Sequence, residues 1–296
     1  MKSNRQFLLG IYTRSPLHVG CGTSVDIVDM PVMRERITNF PVIPSSSLKG
    51  VLRQQARDVF DGEKSPTANL LFGNEDDEET NDEKGKKTAY AGAVITGEAK
   101  ILAFPVRSLQ GCFAWITCPT VLHRFQRDWV ESFNIPEVDV DTGIADDAVV
   151  SGEAIVLEEY PLEAKTDDAL KMVAAHLIKV CDDPVWQAEL DKRLVILSDE
   201  NFQHFVTACS EIVARIEMDP ATRTNKHLFN QENMPCEALF YSVCTILDNR
   251  RPDDKSDPGS HFRELFPDNK AFLQVGGDET VGLGLCEVKL TEKGGE

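Results

Sequence analysis

The feature that most constrains this chain is the order of its segments. Short apolar runs of strand-forming residues are mixed with helix-spaced stretches, and no regular strand-helix-strand repeat emerges. Residues 7–12 (FLLGIY), 91–96, 100–106 and 112–117 read as strands, as do 213–217, 238–243, 272–275 and 285–290, with a shorter one at 25–28. Helical spacing appears at 45–60, 120–133, 167–180 and 201–207. Without the alternation that builds a parallel sheet, the class is α+β with a mainly antiparallel sheet. No internal repeat or Pro-rich linker divides the 296 residues, so the chain reads as one domain over 1–296. The polar stretch between 217 and 238 reads as the tip of a long hairpin spanning about 213–240. Residues 73–88 (GNEDDEETNDEKGKKT) read as an exposed, mobile acidic insertion.

Several function classes are disfavoured. No apolar stretch approaches the roughly 20 residues that cross a bilayer, and the first residues lack a signal-peptide pattern, so no membrane partner and a cytoplasmic location are expected. The eight cysteines include no C-x-x-C pair and read as reduced, mostly buried thiols. The histidines show no H-E-x-x-H spacing, and no G-x-S-x-G element occurs. The glycine cluster at 276–284 (GGDETVGLG) lacks a Gly-Lys-Ser/Thr ending and enters a strand, so it is neither a nucleotide P-loop nor a dinucleotide fingerprint.

Net charge is −18, which by itself argues against nucleic acid. Its distribution permits RNA nonetheless. Residues 1–60 carry eight Lys and Arg against four Asp and Glu, whereas 131–200 carry five against eighteen. At 45–57, three serines at a helix start, followed by Lys49, Arg53 and Arg57 on one stripe, combine hydroxyls, free N–H groups and cations suited to a phosphate. A capped amphipathic helix with a solvated basic face explains the same residues. Asp29, in Ile27-Val28-Asp29-Met30-Pro31, is an acid among apolar neighbours that could hold a divalent cation or take a proton from a 2′-hydroxyl. Asp26 and Glu35 compete with it, and such an acid is also a common turn residue. His18, before a glycine loop, could donate to a phosphate or act as a general acid, or be structural.

Taken together, the blocks SPLHVGCGTSVDIVDMPVMRERITNFPVIPSSSLKGVLR at 15–53, LLFG at 70–73, ILAFPVRSLQGCFAWITCP at 101–119, PCEALFYS at 235–242 and LQVGGDETVGLGLCEV at 273–288 resemble the RAMP superfamily. Within it the likeness is to the subunit-four backbone proteins of type III-B CRISPR (Cmr) effector complexes. That resemblance implies a ferredoxin-like, RRM-type palm, a finger or helical insertion at about 120–210 and a hairpin thumb at about 213–240. It implies copies stacked along a guide (CRISPR) RNA beside other Cmr subunits, and cleavage of the paired single-stranded target RNA at regular intervals. The V-D-x-P match makes Asp29 the catalytic and metal-holding residue, with a divalent metal such as Mg2+. His18 joins it in catalysis and RNA positioning. Gly20, Gly22, Thr23, Arg34, Ser46, Ser47, Lys49, Arg53, Gly276, Gly277 and Thr280 are implied RNA contacts, the glycine block lying beside the α-helical serines. A non-catalytic guide-binding scaffold, or the equivalent type III-A subunit, is the alternative. The sequence departs from the pattern at Gly282-Leu283-Gly284, where a basic residue often stands between the glycines.

Overall fold

The computed structural model describes residues 5–24, 28–60, 62, 65–73, 90–130, 132–219, 221–250 and 255–294. The expected strand at 25–28 and the acidic insertion from 74 onward fall almost wholly outside them. The class expectation holds: the molecule is α+β, and most neighbouring strands run antiparallel.

The chain opens with β1 (Arg5–Thr13), β2 (Val42–Ile43), α1 (Ser45–Val59) and α2 (Pro66–Phe72). β3 (Val94–Thr96), β4 (Ala99–Ser108), β5 (Cys112–Thr117) and α3 (Pro119–Asp128) follow. Next come β6 (Thr142–Ala145), β7 (Val150–Ser151), β8 (Ala154–Leu157), β9 (Tyr160–Lys165), α4 (Ala169–Leu177), α5 (Pro184–Arg193), β10 (Leu194–Leu197) and α6 (Asp199–Ala208). The last elements are β11 (Glu211–Met218), β12 (Asn225–Asn233), β13 (Leu239–Ile246), α7 (Pro258–Glu264), β14 (Lys270–Gln274) and β15 (Leu285–Glu292).

Among the described residues, one sheet runs β14-β15-β1-β13-β4-β5-β10-β6-β9-β8-β7, with β2 on β4 and β3 on β13. β1 lies between β13 and β15, antiparallel to both, and β13 is antiparallel to β4. The near-continuous apolar run of β1 fits this central place, because both of its faces are covered. On one face Phe7 meets Phe262 of α7 at 5.4 Å between ring centres. On the other, Tyr12 meets Trp186 of α5 at 5.7 Å. Gly10 faces the Ile178–Val180 turn so closely that a Cβ would fall 1.9 Å from the Val180 carbonyl oxygen, so no larger residue fits there.

Three expectations need correction. The hairpin pairs β11 with β12 and ends at Asn233, whereas 239–243 lies inside β13, between β1 and β4. The apolar LFYSVC run demands a central strand, and the polar NKHLFNQEN of β12 is free to pair outside the main sheet. The insertion at 120–210 contributes not only helices but also β6 to β10, which extend the sheet. Finally, the serines do not cap α1: Pro44 occupies that position and no side chain bonds the first turn. One side of the helix does bury Leu48, Leu52 and Ala56, as the spacing required.

Candidate active site at the hairpin base

The hairpin joins the body through its second strand. Leu17 bridges to Met234, and Met30 lies beside Gln231 in a one-residue parallel bridge. Residues 17–18 and 29–34 therefore lie against residues 230–234, which carries the candidate residues of both stretches to one place.

Asp29 is half-buried, and its Oδ2 accepts the backbone N–H of Asn230 at 2.7 Å. Its own carbonyl accepts from the Ser24 N–H and the Pro31 carbonyl accepts from the Cys21 N–H, so that Gly22 (φ 103°) and the exposed Thr23 lie between the two donors. His18 is buried, with Nδ1 at 2.7 Å from the Glu232 carbonyl oxygen. A carbonyl only accepts, so Nδ1 carries the proton and Nε2 is the nitrogen left for other work. Gly20 sits over that nitrogen, where a Cβ would approach to 2.7 Å. The anchors of Asp29 and His18 are two residues apart on β12, about 7 Å along a strand.

Glu232, only 6% exposed, ties the site together. Its Oε1 accepts from Arg34 and from Ser210, both at 2.6 Å, and its Oε2 accepts the Val32 N–H at 2.9 Å. Arg34 is thus engaged in a buried ion pair and also donates to the Asn39 carbonyl. The competitor Glu35 is paired with Arg124 and accepts from Thr38. Asp26 lies outside the described residues.

The glycine block meets the same loop. Gly277 N–H donates to the His18 carbonyl at 3.0 Å, and a Cβ on Gly276 would come within 2.2 Å of that oxygen. Gly284 N–H donates to Pro16, and Thr280 is exposed in the turn Glu279–Val281. These contacts go to the His18 loop and the hairpin base, not to the serines of α1. Ser46, Ser47, Lys49 and Arg53 form a separate group on that helix. Ser46 is exposed, and Arg53 donates to the Phe72 carbonyl. Burial, and then the Arg53 guanidinium one turn on, hold the Lys49 ammonium below its ordinary pKa.

Among the described residues no group of three or more His, Cys, Asp or Glu is placed to cage a metal. Asp29 presents one carboxylate, its Oδ2 occupied by the Asn230 N–H. Such a donor set fits an ion like Mg2+, which keeps several waters and uses one or two carboxylates plus substrate phosphates.

Sequence reading missed Asn230, Gln231 and Glu232, because a polar NQEN run resembles a loop until β12 is placed. Nothing in the sequence alone marked Glu232 as buried.

The model of the RAMP superfamily matches residues 11–287. The chain is 37% identical to the CRISPR system Cmr endoribonuclease Cmr4 of Pyrococcus furiosus, over 97% of this chain and 96% of that protein. It superposes on the crystal structure of oligomeric Cmr4 from Pyrococcus furiosus with a TM-score of 0.75 and 32% identity, covering 98% of this chain and 99% of that one. A chain in the cryo-EM structure of the type III-B Cmr-beta complex bound to cognate target RNA shares the fold, with a TM-score of 0.72 and 19% identity over 96% of both chains.

Proposed function

Because the chain belongs to the RAMP superfamily, we propose that it is the backbone subunit of a type III-B CRISPR ribonucleoprotein, binding guide RNA and cutting the target RNA paired to it. The observation that carries this reading is the fixing of Asp29 and His18, both from the loop motif, at neighbouring points on one hairpin strand. The likeness to a relative named an endoribonuclease over nearly its whole length supports the same chemistry.

The core is read as a ferredoxin-like palm. The order β15-β1-β13-β4, antiparallel throughout, supports it, as do α1 within the β1 to β4 connection and α7 within the β13 to β15 connection. β11–β12 would be the thumb. It forms a two-stranded sheet of its own and leaves Ile212, Ile216, Met218 and Leu228 more than half exposed. Copies of the chain would stack along the guide beside other Cmr subunits, each thumb bending the duplex out of regular A-form.

In the reaction, a target 2′-hydroxyl oxygen attacks the adjacent phosphorus and the 5′-oxygen leaves, giving a 2′,3′-cyclic phosphate and a 5′-hydroxyl. Bending the duplex allows the in-line approach that a regular helix withholds. A divalent ion such as Mg2+, when bound, would stabilise charge on the phosphate, and Asp29 would hold it. Asn230 keeps the Asp29 carboxylate aimed. His18, locked as the Nδ1–H tautomer, presents Nε2 toward RNA. Gly20, Gly22, Thr23, Gly276, Gly277 and Thr280 offer backbone and hydroxyl contacts around it. Ser46, Ser47, Lys49 and Arg53 would grip the guide backbone from α1, and Arg34 would act near the RNA through the loop it braces.

The test is to assemble the complex with guide RNA, supply complementary target with Mg2+, and map the product ends. Evenly spaced cuts with cyclic phosphate and 5′-hydroxyl termini are expected. Intact target after assembly and binding would refute the nuclease reading.

A further inference from the structure

Asp278 lies inside the glycine block but is not one of its glycines. Its backbone is left-handed (φ 64°, ψ 31°), a conformation that costs an aspartate little and turns the carboxylate toward the hairpin. There Oδ2 accepts Nε2–H of Gln231 at 2.7 Å, and the Arg215 guanidinium on the facing strand lies at 3.7 Å. Gln231 is 1% exposed and separates the residue that aims Asp29 from the residue that holds the His18 ring. The neighbouring Gly277 N–H holds the His18 carbonyl, and Gly276 packs against the same oxygen. One short turn therefore grips both strands of the hairpin base and the histidine loop.

We propose that Asp278 is a positioning residue for RNA cleavage: it fixes the hairpin base to the His18 loop and so sets the spacing between Asp29 and His18. This rests on the nuclease reading above. Asp278 acts through Gln231 and Arg215 and touches no reacting atom. The link across the hairpin base is one charge-assisted hydrogen bond plus one longer-range attraction, and losing it shifts the orientation of the site more than it loosens RNA.

The test uses the reconstituted complex with guide and labelled target, reading single-turnover cleavage and target affinity separately. Asp278→Ala is expected to slow cleavage roughly tenfold or more with affinity unchanged. Asp278→Asn, which keeps an acceptor for Gln231, is expected to recover most of the rate. Gln231→Leu removes the bond from the other side, and combined with Asp278→Ala it should be no slower than the worse single variant. Wild-type cleavage by Asp278→Ala, loss of guide or target binding, or additive effects in the double variant would each overturn the proposal. A wild-type complex that binds target and does not cut would instead refute the nuclease reading itself.

Discussion

Glu232 concentrates the cost of building this site. A carboxylate buried beside Arg34 is held by three donors from two parts of the chain, so removing it strands a buried guanidinium. Glu232→Ala should destabilise the protein by about 3–5 kcal/mol, read as a lower urea midpoint. Replacing Glu232 and Arg34 together by apolar residues of similar size should restore much of that stability. Equal loss in the single and the double variant would mean that the pair contributes through packing, not charge. Asp29 and His18 are legible in the amino-acid sequence because their loop carries a motif. Glu232 is not, since its role depends on a strand 200 residues away in the chain being folded against Val32.

Among elements, α1 carries the electrostatic part of the proposed function. Lys49 and Arg53 occupy its basic stripe, and Ser46 stands exposed in its first turn. If Lys49 neutralises a guide phosphate, Lys49→Ala should reduce the salt slope of guide binding by about 0.7. An unchanged slope would make the stripe a solvated face. Element prediction succeeded where the pattern was strong, as in the helical period of α1 and the apolar runs of β1 and β5. It failed for α2, α5 and α7, which are short and open on Ser65-Pro66, Asp183-Pro184 and Asp257-Pro258. In each the Ser or Asp caps the first turn and the proline takes the first helical position. The signal was in the sequence, but proline also marks turns, and seven to ten residues leave little periodicity to decide between them. The hairpin was misjudged for a related reason: β12 pairs along its length with β11 outside the main sheet, so it has few of the apolar residues that identify a strand.

For the whole molecule, acid response follows from carboxylates that join distant segments. Burial would raise the pKa of Asp128, but hydrogen bonds from Lys100, Arg127 and Tyr241 outweigh it and hold the group low. Asp182 is likewise held low by Lys289 and Lys270 against the effect of burial, and Asp199 by Thr120. Because each is depressed in the folded state, the unfolded chain takes up protons first as pH falls. Their stabilisation is therefore complete above the ordinary carboxylate pKa and lost as pH falls through and below about 4. Urea midpoints measured from pH 6 to pH 3 should drop steeply at the acid end, and Asp128→Asn should flatten that drop. The same charges make the chain acidic overall, with a net charge of −18. In the proposed function, RNA would then be held by local features such as α1 and the glycine loops.

In the proposed function Asp29, aimed by the hairpin base, cuts guide-paired RNA. Its most direct test compares wild type with Asp29→Ala in the assembled complex, measuring target binding and cleavage in parallel with Mg2+ present. The variant is expected to bind target with unchanged affinity and to lose the evenly spaced products by a hundredfold or more, about 3 kcal/mol of transition-state stabilisation. Normal cutting by Asp29→Ala would contradict it and make the aspartate a loop anchor for Asn230.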